Sequence, residues 1–142
     1  MSNILRRCNE PTYGAMRAVL AFLFLSHGLQ KLVGAFGGLQ VPVASLFGAA
    51  ALIEIICGSL IAVGLFTSMA AFIASGEMAF AYFIVHAPRG GVPAENGGEL
   101  AVAFCFVFLY VAARGGGRWS LDALLRHDAS GDRIRKQLGN VA

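Results

Sequence analysis

Residues 43–66 and 69–85 are two long apolar runs separated only by Thr67 and Ser68, and each carries a single charged side chain: Glu54 in the first and Glu77 in the second. Helices of this length match the roughly 17–25 residues that cross a hydrocarbon core. A carboxylate near the bilayer midplane costs about 3 kcal/mol even on lenient insertion scales. Such a residue turns toward a bundle interior or a wet cavity rather than toward lipid, and it marks function more often than packing. The pattern therefore predicts membrane helices whose interior is polar at chosen points.

Composition agrees. The 142 residues are 57% hydrophobic and 13% charged, with a mean hydropathy of +0.69. A soluble domain carries about 25% charged residues. The length suits one domain. The net charge of +3 comes mainly from basic residues in the two tails, without interleaved aromatics, so nucleic acid is not an expected partner. The apolar run that follows Arg6 and Arg7 continues over residues 13–33, longer than a signal-peptide core of roughly 7–15 residues, and reads as a retained span. Cys8, Cys57 and Cys105 form no C-x-x-C pair; Cys57 and Cys105 lie in apolar runs and read as small packing residues.

Hydropathy predicts four spans, at about 13–33, 43–66, 69–85 and 99–113. The expected fold is all-α and membrane-embedded, a four-transmembrane-helix bundle with a short amphipathic C-terminal helix. Residues 1–12 are expected as a cytoplasmic tail, 13–113 as the transmembrane domain, and 114–142 as a cytoplasmic helix and tail. Within that last part Ser120 caps a helix with Leu121, Leu124 and Leu125 on one face, and residues 128–142 are expected to be mobile. With both termini cytoplasmic, nine basic residues lie inside against Lys31 and Arg89 outside, a clear positive-inside bias. Tyr13 and Trp119 are expected as aromatic anchors at the inner interface.

On a helical wheel His27 and Lys31 share a face, and Arg17 falls within about 80° of both, giving span one a cationic stripe. In span two Ala50, Glu54, Gly58 and Ala62 recur every four residues, a small-residue ridge suited to close helix approach. Ala70, Ala74, Glu77 and Ala81 repeat the device in span three, and Glu99 opens span four near the outer surface. The expected arrangement sets the cations of span one against these carboxylates, which are either paired or held neutral. His86, nine residues beyond Glu77, falls half a turn away and faces the opposite side unless the helix unwinds before Pro88.

Each residue also has a plainer reading. Arg17 and Lys31 taken singly read as structural or snorkelling side chains. His27 divides evenly between a packing role and a ligand or proton role. Glu54 and Glu77 together exceed what packing needs. A metal is not expected, because no span carries the Glu-x-x-His pair of carboxylate-bridged sites.

The order Arg17…His27-Gly28-Leu29-Gln30-Lys31, then Glu54 with Gly58 and Gly64, then Asn96-Gly97-Gly98-Glu99, then Gly117-Arg118-Trp119-Ser120-Leu121-Asp122 resembles the DoxX family over roughly residues 13–122. The resemblance implies a small multi-pass protein of the bacterial inner membrane associated with oxidoreductase systems. It points to Arg17, His27, Lys31, Glu54, Asn96 and Glu99 as the functional set; Glu77 and His86 are added by the membrane argument alone. Family membership does not fix activity.

The leading expectation is a subunit of a quinone-linked oxidoreductase system, with no covalently bound cofactor and a pocket in the outer half of the bilayer. Glu54, Glu77 and His27 are assigned the proton chemistry, and Arg17, His27, Lys31, Asn96 and Glu99 the ligand contacts. Phe24, Phe80 and Phe106 are offered as ring contacts. Expected partners are the lipid bilayer, a quinone and an oxidoreductase subunit; the small-residue ridges would serve intrachain packing or a homo-oligomer equally well. The alternatives are a proton-coupled transporter of small molecules and a non-catalytic membrane anchor of a larger complex.

Overall fold

A computed structural model of the chain describes residues 2–127, with side chains from residue 8 onward. Helix α1 (Ser2–Val33) is followed by an irregular stretch, α2 (Leu46–Val63), α3 (Thr67–Ala81), the short α4 (Pro93–Asn96), α5 (Glu99–Arg114) and a final helix α6 over 121–127. No strand occurs among the described residues. Among the described residues three helical segments, Cys8–Val33, Leu46–Val63 and Thr67–Arg89, are long and apolar enough to cross a membrane. Helix α5, at 16 residues, is shorter, about 24 Å at 1.5 Å per residue.

The chain winds up and down. Helices α1 and α2 form one antiparallel pair, α3 and α5 another, and the tight α2–α3 hairpin joins them. One end of the bundle carries residues 34–45 and 87–98 (the loop end); the other carries the start of α1 and residues 115–127 (the tail end). Close approach of α1 to α2 depends on two glycines. A Cβ on Gly28 would lie 2.8 Å from the Ala51 carbonyl oxygen and 3.0 Å from Glu54 Cβ; one on Gly58 would lie 3.0 Å from Leu25 N. The small-residue ridge of α2 therefore faces α1, as its spacing predicts.

The α1/α2 pair meets the α3/α5 pair through rings. Phe24 of α1 is fully buried against Phe104 and Phe108 of α5, with centroids 5.7 and 4.9 Å apart, and those two stack at 5.4 Å. Cys57 is buried and Cys105 half-buried, both as free thiols in packing positions.

Sequence expectation and structure part at several places. Helix α1 runs continuously from Ser2 through most of the segment expected as a tail, and Glu10 ties it down, its carboxylate accepting from Arg114 at 2.7 Å and from the Arg118 amide at 3.1 Å. Tyr13 is no interface anchor. It is buried, its hydroxyl donates to the Gly115 carbonyl, and the Arg114 guanidinium lies 3.9 Å above its ring. The α2–α3 connection also starts earlier than hydropathy suggests. Gly64 adopts a left-handed conformation (φ 75°) and ends α2 with bonds from the Leu65 amide to the Leu60 carbonyl and from the Gly64 amide to the Ile61 carbonyl, the Schellman arrangement that glycine permits. The polar stretch 128–142 lies outside the described residues.

Candidate functional site

Lys31 Nζ stands 2.7 Å from Glu54 Oε1, joining the last turn of α1 to the middle of α2. The Glu54 residue is 1% exposed, while the lysine keeps one edge open. Its second oxygen, Oε2, is buried with no hydrogen-bond partner. Glu77 Oε2 is likewise buried and unpartnered. An ionised acceptor in this state is expensive, so each such atom needs an explanation.

Both glutamates line one cavity of about 490 Å³ toward the loop end of the bundle, bounded by α1, α2, α3 and the start of α5. His27, Lys31 and His86 line it too, and its remaining walls are apolar, with Phe47, Phe80 and Phe104 supplying rings. Ligand pockets of small molecules fall in this size range and share this make-up, mostly apolar with a few convergent polar groups. Toward the tail end Phe104 lines it, and Phe24 and Phe108 pack against that ring.

Both histidines that line the cavity are anchored through Nδ1. His27 Nδ1 lies 2.7 Å from the Leu23 carbonyl and His86 Nδ1 lies 3.2 Å from the Asn96 carbonyl. A carbonyl only accepts, so each Nδ1 carries a proton, and a neutral ring would leave Nε2 as the acceptor. His27 is further steadied by an edge-on contact with Phe104, and His86 by stacking on Tyr82.

A straight α-helix puts His86 opposite Glu77. The structure instead has a π-helical turn over Tyr82–His86, closed by the Ala87 amide on the Tyr82 carbonyl, before Pro88. The wider turn makes the following side chains lag around the axis and brings His86 round to the cavity. Pro88 is the sequence signal for this, since a residue without an N–H disturbs the register just before it.

Other expected site residues sit elsewhere. Arg17 is buried at the tail end, far from the cavity lining. Its guanidinium donates to the Ile61 carbonyl, to the Ala62 carbonyl at 3.1 Å and to the Trp119 carbonyl at 2.7 Å. A fork of donors at the C-terminus of α2 satisfies carbonyls that the helix leaves open, so Arg17 is a structural clamp and the cationic stripe does not face the carboxylates as a unit. Asn96 is buried but does not line the cavity. Its side chain donates to the Gly90 carbonyl at 2.7 Å and accepts from the Gly98 amide at 2.8 Å, which shapes the loop over the cavity mouth. Glu99 opens α5 as an exposed residue outside the cavity. Of the three phenylalanines expected as ring contacts, Phe80 lines the cavity, Phe24 does not line it but packs against Phe104, and Phe106 faces outward.

The Gly117–Asp122 motif also proves structural. Asp122 accepts from the Phe66 and Thr67 amides at 2.8 and 2.9 Å and from the Thr67 hydroxyl at 2.7 Å, capping α3 from a distant segment. Ser120 caps α6 by accepting from the Ala123 amide at 3.2 Å, as its position predicts. Burial pushes the Asp122 carboxyl up, but the Thr67 and Phe66 hydrogen bonds outweigh it and hold the group below the ordinary carboxylate value.

The family description that matches this sequence is DoxX, over residues 14–87, which spans α1 through the π turn and includes His27, Lys31, Glu54, Glu77 and His86. The Asn96–Glu99 and Gly117–Asp122 motifs fall beyond that stretch. An uncharacterized protein of Haemophilus influenzae is 40% identical, with the match covering 75% of this chain and 85% of that one. An uncharacterized membrane protein of Mycobacterium tuberculosis is 28% identical, covering 84% of this chain and 85% of its own. No solved structure matches.

Proposed function

The chain belongs to the DoxX family of membrane proteins, and from that premise we propose that it is a membrane subunit of an oxidoreductase system that holds a quinone-class ring in its intramembrane cavity. One observation carries the reading: five ionisable side chains from three helices (His27 and Lys31, Glu54, Glu77 and His86) converge on a single apolar cavity of about 490 Å³. A lipid-soluble ring would enter from the bilayer and pack against Phe47, Phe80 and Phe104. Lys31 and the two histidines would meet its oxygens, and Glu54 or Glu77 would take or supply the accompanying proton, the work of a positioned general acid–base group.

In this reading α5 is the fourth span, and the protein sits in a bacterial inner membrane with both termini cytoplasmic, as the excess of basic residues at the tail end favours. The cavity then lies in the outer half of the bilayer. The electron donor is a partner subunit, because the cysteines here are not paired. The packing of Phe24 and Phe108 against Phe104 favours this blind-pocket reading over a transport path through the bundle. The test is titration of the full-length protein in nanodiscs with a short-chain ubiquinone or menaquinone analogue. Saturable binding that weakens at least roughly fivefold in Lys31→Met, which removes the donor to the ring oxygens, is the expected result. Unchanged affinity in that variant, or net flux of a substrate across proteoliposomes driven by a pH gradient, would count against it.

A further inference from the structure

Two carboxyl oxygens around the cavity are left without partners. Glu54 is in an ion pair with Lys31 that uses Oε1 only, and Oε2 of this 1% exposed residue is orphaned. Glu77 Oε2 is orphaned beside it in the same cavity. His27 and His86 commit an Nδ1 proton to a backbone carbonyl, so that Nε2 of a neutral ring is free to accept. Against these stands one cationic donor, Lys31, already shared with Glu54.

From this inventory we infer that the cavity selects the reduced, dihydroxylated ring over the quinone. A hydroquinone brings two O–H donors, which can satisfy a carboxylate oxygen and a histidine Nε2, while its own oxygens still accept from Lys31. A quinone carries only acceptors. Its carbonyl lone pairs would face carboxylate lone pairs in a desolvated space, and Glu54 Oε2 would stay unsatisfied, the costly outcome for a buried acceptor. A site built to receive a hydroxyl rejects the analogue lacking it far more strongly than an apolar pocket rejects a change of size. The protein therefore takes up the hydroquinone state as its preferred ligand and releases the oxidised state readily.

The inference rests on the reading that the cavity holds a quinone-class ring, and the experiment separates the two. Full-length protein in nanodiscs, under anaerobic reducing conditions for the first probe, is titrated with an alkyl hydroquinone, the matching benzoquinone and the hydroquinone's dimethyl ether, each corrected for partition into empty nanodiscs. The ether keeps ring and oxygens but has no donor. The hydroquinone should bind roughly tenfold or more tightly than either of the others, and Glu54→Gln should shrink that preference to about twofold, since an amide oxygen is a weaker acceptor than a carboxylate. Should that variant fail to fold, Glu77→Gln makes the same comparison. Equal or tighter binding of the benzoquinone or the ether overturns the inference and leaves the quinone reading standing. If none of the three binds, both fall.

Discussion

Lys31 and Glu54 are 23 positions apart in sequence and 2.7 Å apart in space, and the pair spends only half of the glutamate's accepting capacity. Removing one partner is therefore different from removing both. Lys31→Met should cost about 2 kcal/mol of stability, less than a fully enclosed pair would because the lysine is 29% exposed. The double variant Lys31→Met/Glu54→Leu should recover most of that loss while abolishing ligand binding. Thermal unfolding in one detergent, arranged as a double-mutant cycle, checks the first part, and probe titration the second. A double variant less stable than the single lysine variant would contradict it.

Arg17 carries two readings in the sequence, a structural side chain when taken singly and a ligand contact by resemblance, and its hydrogen bonds follow the first. The guanidinium closes three carbonyls belonging to α2 and to residue Trp119. An ammonium cannot reproduce that fork, so Arg17→Lys should be destabilising by roughly 2 kcal/mol, nearly as much as Arg17→Ala. Limited proteolysis should then cut within 115–127 faster than in the wild-type protein. Affinity of the remaining folded fraction for a cavity probe should be unchanged, which separates a clamp from a ligand contact.

The contrast between Glu54 and Arg17 shows how far the sequence was legible. Hydropathy placed α1, α2 and α3, and the four-residue repeat of Ala50, Glu54, Gly58 and Ala62 correctly turned Glu54 toward α1, because one face of a helix is fixed by its period alone. The partner of Arg17 was not legible, since backbone carbonyls have no signature in sequence. His86 was legible only conditionally: wheel geometry assumes a constant turn, and the π turn over Tyr82–His86 is the unwinding before Pro88 on which its place in the cavity depended. The roles of Glu10, Tyr13 and Asp122 depend on residues more than 50 positions away, which only the folded chain brings together.

Asp122 makes the tail end sensitive to acid. Burial raises its carboxyl, yet the Thr67 amide and hydroxyl and the Phe66 amide lower it further, so the folded value lies below the unfolded one. A group shifted in that direction contributes stability that is fully present above the unfolded value and disappears as pH falls through the folded one. The wild-type melting temperature should therefore decline on acidification through and below the ordinary carboxylate range. Asp122→Asn should melt lower at neutral pH and lose part of that acid-dependent decline. Melting curves from neutral to strongly acidic buffer test it, and parallel curves for the two proteins would refute the assignment.

Two glycines give opposite expectations from the same substitution. At Gly28 an added methyl would sit 2.8 Å from both the Ala51 carbonyl oxygen and Ile55 Cγ1, one of them backbone that cannot step aside. Helix α1 must then move off α2, so Gly28→Ala should cost about 1–3 kcal/mol and carry Lys31 away from Glu54, weakening probe binding as well. At Gly76, in the middle of α3, an added methyl meets nothing within 4 Å. There Gly76→Ala should stabilise by about 0.5–1 kcal/mol, because alanine gives up less backbone freedom on entering a helix, and binding should be untouched. Unfolding of both variants in the same detergent decides the matter. A Gly28→Ala protein as stable as wild type would mean that α1 and α2 are not in the close contact on which the Lys31–Glu54 pair depends.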